Sequence, residues 1–121
     1  MGHSSGNHVS VNYLRLGCHN IKGMVLISPV DGVDPFGFVE DFCIEPGKKL
    51  PFSTPTLVIT AGFDSVPGYD VGGVVPSCAP PELSNLRFYN ALNGQAWLNN
   101  ATKFGHVDFM NPNIVPAIIE V

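Results

Sequence analysis

Short, nearly continuous apolar runs, separated by segments rich in Gly and Pro, set the pattern of this chain. Ile21, Met24, Val25, Leu26 and Ile27 form one run, with Gly23 at its start and Ser28-Pro29 after it. Thr56-Leu57-Val58-Ile59-Thr60 forms a second, following Pro55. Such runs predict strands buried on both faces of a parallel sheet. Gln95 to Thr102 predicts a third strand. Ser4 to about Leu16 predicts a helix, with a partly apolar face of Val9, Val11, Tyr13, Leu14 and Leu16 and with Gly17 as its stop. Glu82 to Leu92 predicts another, and a last helix is expected to begin near Val115. Val33–Ser53 and Gly68–Pro81 read as loops, the first punctuated by Pro35, Gly37, Pro46, Gly47 and Pro51 and carrying Phe36, Phe38, Phe42 and Phe52. Elements in this order predict the α/β class, with helices flanking a parallel sheet.

Composition narrows the picture. At 121 residues, 45% of them hydrophobic and 13% charged, the chain has the make-up of one folded domain, not of a disordered segment. The net charge of −4 comes from scattered carboxylates, without a Lys/Arg cluster, which argues against nucleic acid or an anionic membrane surface as partner. No run of about 18 apolar residues reads as a membrane span, and the Gly/His/Ser-rich start lacks the plan of a signal peptide. A soluble chain is expected, with compartment and oligomeric state open. Cys18, Cys43 and Cys78 are widely spaced and odd in number, so a zinc or dithiol site is not expected; one disulfide plus a thiol, or three thiols, both fit.

Chemistry enters at Gly2-His3-Ser4-Ser5-Gly6. This G-x-S-x-G pentad is the sequence form of a nucleophile elbow, in which a strained strand-to-helix turn lifts a serine Oγ clear of a sheet and the two glycines leave room for neighbouring backbone. Almost nothing precedes it, so the strand that should enter the elbow is expected to be absent. An acid and a histidine follow in the order Ser4, then Asp31 or Asp64, then His106, each beside a predicted strand end. Ser4 would attack a carbonyl while His106 takes its proton, and a carboxylate would hold the other imidazole nitrogen. The Ser5 N–H would be one oxyanion donor. Each member has a plainer reading: Ser4 as a helix N-cap, Asp31-Gly32 as a turn, His106 as a loop histidine. His3 is expected to pack or hydrogen-bond locally, His8 and His19 to lie on the surface, and Asp108 to be solvated or to cap a turn.

Taken together, Gly2–Gly6, Ser28-Pro29-Val30-Asp31-Gly32, Ser77-Cys78-Ala79-Pro80-Pro81, Phe88-Tyr89-Asn90 and Phe104-Gly105-His106-Val107-Asp108-Phe109 resemble the chlorophyllase family over nearly the whole chain. Ser5 stands where plant members carry Arg, and Asn7 where they carry Gly. The resemblance implies a serine esterase that cleaves the phytyl ester of chlorophyll or a similar large apolar ester without a metal or other cofactor, with Ser4, Asp31 and His106 as its triad. Leu57 to Pro67 is similar to the acid-bearing strand end of bacterial cutinase-type polyesterases, which keeps Asp64 as the alternative acid. Family members are longer. The fold expected is therefore one incomplete domain, 1–121: the C-terminal portion of an α/β-hydrolase fold, with N-terminal strands and the second oxyanion donor missing. A general esterase or lipase, or an inactive hydrolase remnant, are the competing functions.

Overall fold

The computed structural model describes residues 1–17, 19–32, 38, 40–70 and 73–110, with the backbone alone over 68–70 and 73–75. The helix expected near Val115, as well as Cys18 and Phe36, lie outside the described residues. Four strands, β1 (Gly2–His3), β2 (Met24–Ile27), β3 (Thr56–Ala61) and β6 (Ala96–Ala101), make one parallel sheet in the order β1-β2-β3-β6. α1 (Gly6–Arg15) joins β1 to β2, and α2 (Leu86–Ala91) precedes β6. With helices packed against it, the sheet has the expected α/β architecture. No helix among the described residues is long and apolar enough to cross a membrane.

The β-branched and apolar runs at 24–27 and 56–61 form the central strands. They are not covered equally on both faces, as their near-continuous hydrophobicity predicts. Met24, Leu26 and Val58 are buried against Val11 and Leu14 of α1, Phe88 and Ala91 of α2, and Cys43, Ile44 and Leu50 of the long connection. The opposite face carries Val25, Ile27, Leu57 and Ile59, all half-buried, with exposed Trp97 in register beside Leu57. Phe88 is the largest side chain with no exposed surface among the described residues; its truncation to Ala would cost ~3–5 kcal/mol.

The strand expected to be absent before the elbow is present in minimal form. Gly2 and His3 pair in parallel with Leu26 and Ile27, so the pentad supplies its own entering strand. α1 starts after Ser4, with Ser5 as N-cap, and buries Asn7, His8, Val11 and Leu14. Two of those four are polar, which is why the apolar spacing along 4–16 is uneven.

Two other expectations change. Within the expected loop 68–81, β4 (Gly68–Asp70) and β5 (Gly73–Val75) pair antiparallel. The helix expected over 82–92 is instead a 3-10 turn at Pro81–Leu83, a break at Ser84-Asn85, and then α2. The break is held from outside. Asn85 N–H donates to Pro29 O at 3.0 Å, and Ser84 Oγ–H donates to Pro80 O at 2.7 Å.

Candidate active site

Ser4 sits between β1 and α1 with φ +53°, a region costing a non-Gly residue roughly 1–2 kcal/mol. Hydrogen bonds hold it there. Its N–H donates to Ile27 O (3.0 Å), and its carbonyl accepts from Val30 N–H (3.3 Å) and Asn7 N–H (3.1 Å). The Asn7 side chain ties turn to strand, donating to both Ser4 O and Ile27 O at 3.0 Å. Asn7 is thus built into the elbow, and it constrains Gly2: a Cβ there would meet Asn7 Oδ1 at 2.6 Å and Ser10 Oγ at 2.9 Å. Gly6 has open space where its Cβ would stand, so of the two glycines only Gly2 is required by packing.

The C-terminal ends of the parallel strands gather the polar groups, as open α/β sheets generally do. Ser4 follows β1. Asp64 follows β3, where its carboxylate folds back to accept Ala61 N–H at Oδ2 (2.9 Å). His106 follows β6 in a run of turns. His106 Nε2 is 2.9 Å from Ser4 Oγ, and His106 Nδ1 is 2.8 Å from Asp64 Oδ1. Asp64 is 2% exposed and His106 9%, so the relay is shielded except at the serine. Burial pushes the Asp64 pKa up, but the bonds from His106, Ala61 and Asn85 outweigh it and hold the carboxyl below its ordinary value. An ionised Asp64 fixes the tautomer: Nδ1 carries hydrogen, and Nε2 presents its lone pair to the serine hydroxyl.

Asp31, expected ahead of Asp64 as the partner of His106, lies elsewhere and makes no bond to it. Its oxygens accept Cys43 N–H (2.8 Å), Arg87 Nε–H (2.9 Å), Gly32 N–H (3.0 Å), Ile44 N–H (3.1 Å) and His8 Nδ1–H (3.3 Å). Burial opposes its charge, and these donors overcome it, leaving the pKa lowered. Placed just past β2, Asp31 has turned toward the long connection, pinning residues 43–44 to α1 and α2. His8, Asp31 and Cys43 bring possible metal-ligand atoms within 4.8 Å of one another. Their chemistry does not suit a cation: an arginine already neutralises the carboxylate, and burial, followed by the hydrogen bond and then the charge of Asp31, pushes the Cys43 thiol pKa far up.

The family model described as chlorophyllase matches residues 1–121. The chain belongs to the chlorophyllase family. A protein named chlorophyllase type 0 from Chenopodium album is 32% identical over 117 residues, a match covering 91% of this chain and 31% of the relative. The chain therefore spans less than a third of the length of the curated relative it matches.

In this chlorophyllase-family chain several histidines depart from expectation. His3 bonds far along the sequence: its Nε2–H donates to His106 O at 2.7 Å, with the two rings 5.0 Å apart. Burial lowers its pKa, so the ring is kept neutral. His8 is buried, not on the surface, and accepts from Asn12 Nδ2–H at Nε2 (3.0 Å). His19 is half-buried, 3.2 Å from Leu14 O at the end of α1. Asp108 accepts Gly105 N–H (2.6 Å), capping the turn that carries His106. The Ser5 N–H has no hydrogen-bond partner among the described residues, which leaves it free to donate. Cys43 and Cys78 are free thiols, the first buried and the second exposed.

Sequence reasoning missed Asn85 and Arg87, both assigned to the interior of an expected helix. Asn85 Nδ2–H donates to Asp64 Oδ2 at 2.9 Å, and Arg87 pairs with Asp31. The Ser84-Asn85 pair, a favoured helix-cap dipeptide, is the signal that would have moved the helix start. Nothing in the local pattern indicates the carboxylate each one reaches.

Proposed function

We propose that this chain carries the catalytic centre of a serine carboxylic-ester hydrolase of chlorophyllase type, with Ser4 as nucleophile, His106 as base and Asp64, in place of Asp31, as the acid. The observation that carries this reading is the unbroken path from Asp64 Oδ1 through the His106 ring to Ser4 Oγ, at 2.8 and 2.9 Å. Ser4 Oγ attacks the ester carbonyl carbon as its proton passes to His106 Nε2, and Asp64 stabilises the imidazolium. The oxyanion accepts the Ser5 N–H. His106 returns the proton to the leaving alcohol, giving an acyl-Ser4. Water, deprotonated by His106, then releases the carboxylic acid and restores the serine.

The family name and the surface beside the relay support a large apolar ester, such as the phytyl ester of chlorophyll. Phe63 and Phe104 are each more than half exposed, adjoin Asp64 and Gly105 in sequence, and are linked by a backbone bond of 3.1 Å. Hydrolysis of a p-nitrophenyl ester by residues 1–121, measured beside Ser4→Ala, tests the reaction. A loss on the order of 10⁵- to 10⁶-fold in the variant is expected, and equal rates would refute the reading. Chlorophyll against short-chain esters then tests the substrate: preference for the short esters favours a general esterase.

A further inference from the structure

Asn85 is the N-cap of α2, yet its side chain makes no cap bond. Asn is among the best cap residues because its oxygen reaches the free N–H groups of the first turn. Here the amide turns away and donates to Asp64 Oδ2 (2.9 Å), on the carboxylate oxygen opposite the one that holds His106. The local structure is disfavoured in two further ways. The backbone lies at φ 46° and ψ −94°; the positive φ alone is tolerated by Asn, but this ψ is far from the left-handed helical well that Asn adopts. Asn85 Oδ1 is also buried without a hydrogen-bond partner among the described residues. The three described non-Gly residues with positive φ are Ser4, Ser28 and Asn85; Ser4 N–H and Asn85 N–H reach the carbonyls on either side of Ser28, those of Ile27 and Pro29, while Ser28 N–H reaches Ile59 O. Strain of this kind gathers where the surroundings force a functional geometry.

We infer that Asn85 is a positioning residue for the relay. Together with Ala61 N–H, which donates to the same Oδ2 at 2.9 Å, it fixes the rotation of the Asp64 carboxylate so that Oδ1 faces His106 Nδ1, and it acts on catalysis only through Asp64. This rests on the assignment of Ser4, His106 and Asp64 proposed above.

The test is Asn85→Gly, which removes the amide while easing the backbone, combined in a cycle with Asp64→Asn. For p-nitrophenyl ester hydrolysis the expected result is a kcat lowered on the order of 10- to 100-fold, as for loss of a hydrogen bond to a charged group. KM and the thermal midpoint should hold, and no further loss should follow in the Asp64→Asn background. Full additivity, an unchanged kcat, or a midpoint that falls with kcat would overturn the inference. Failure of the proposed function is distinguishable, since Ser4→Ala would then leave the rate unchanged. A second readout needs no turnover: the His106 Nδ1–H proton resonance is expected to be protected in the parent and lost to exchange in Asn85→Gly. A resonance that persists unchanged, or that is absent from the parent, overturns the inference whether or not the chain hydrolyses esters.

Discussion

Replacing Asp31 and Asp64 by Asn, one at a time, separates two carboxylates that look alike in sequence. In Asp31→Asn the new Nδ2 turns two hydrogens toward groups that are themselves donors. Oδ2 now takes Arg87 Nε–H and Ile44 N–H, while Oδ1 takes the N–H groups of Gly32 and Cys43 and that of His8. Whichever way the amide is oriented, one set of donors is left facing donors. The Arg87 charge, on a side chain only 15% exposed, also loses its partner. Breaking a buried ion pair by removing one member costs ~3–5 kcal/mol. At this chain length that corresponds to a fall in thermal midpoint of roughly 10–25 °C. Below its own transition, Asp31→Asn should keep kcat within about threefold, since no Asp31 atom touches the relay. Asp64→Asn should do the reverse: kcat falls on the order of 10⁴-fold, because the imidazole loses the carboxylate that sets its tautomer. Differential scanning calorimetry with ester turnover measures both. An Asp31→Asn protein that keeps its midpoint and loses kcat a thousandfold would refute the reasoning and return Asp31 to the triad.

Acid sensitivity follows from the same groups. Asp31 and Asp64 both have lowered pKa values in the folded chain. Their contribution is therefore fully present above the unfolded carboxylate value near ~4 and is lost as pH falls through the folded value below it; circular dichroism should show the midpoint dropping below about pH 4, and less steeply in Asp31→Asn. Gly2→Ala, with its Cβ 2.6 Å from Asn7 Oδ1, should destabilise by ~1–3 kcal/mol, whereas Gly6→Ala, in open space on α1, should be neutral or stabilising by up to ~1 kcal/mol in urea titrations. Trp97, the single tryptophan, is 54% exposed on the less covered sheet face; acrylamide should quench it readily, and strong protection would mean that this face is covered in solution.

Much of the fold was legible from 4–16, 21–27, 56–60 and 95–102, because a parallel sheet concentrates apolar residues in short central strands whatever surrounds them. The helix boundary at Asn85 and the pairing of β4 with β5 were not legible. Both depend on groups far along the chain or on weak local signals: the carbonyl of Pro29 holds Asn85 out of the helix, and no periodicity encodes that contact.

By itself, the sequence determined the chemistry on offer: a serine in a G-x-S-x-G turn, acids after two strands, a histidine after a third, and motifs of the chlorophyllase family. It placed Asp31 ahead of Asp64 on the family motif alone, because both follow parallel strands and both sit where open sheets gather polar groups. The tertiary structure separates them by direction. Asp31 turns toward Arg87 and the amides of residues 43–44, whereas the turn after β3 folds the Asp64 carboxylate back to Ala61, within 2.8 Å of His106. Which way a carboxylate points depends on donors brought in from elsewhere in the chain, and only packing brings those donors within reach.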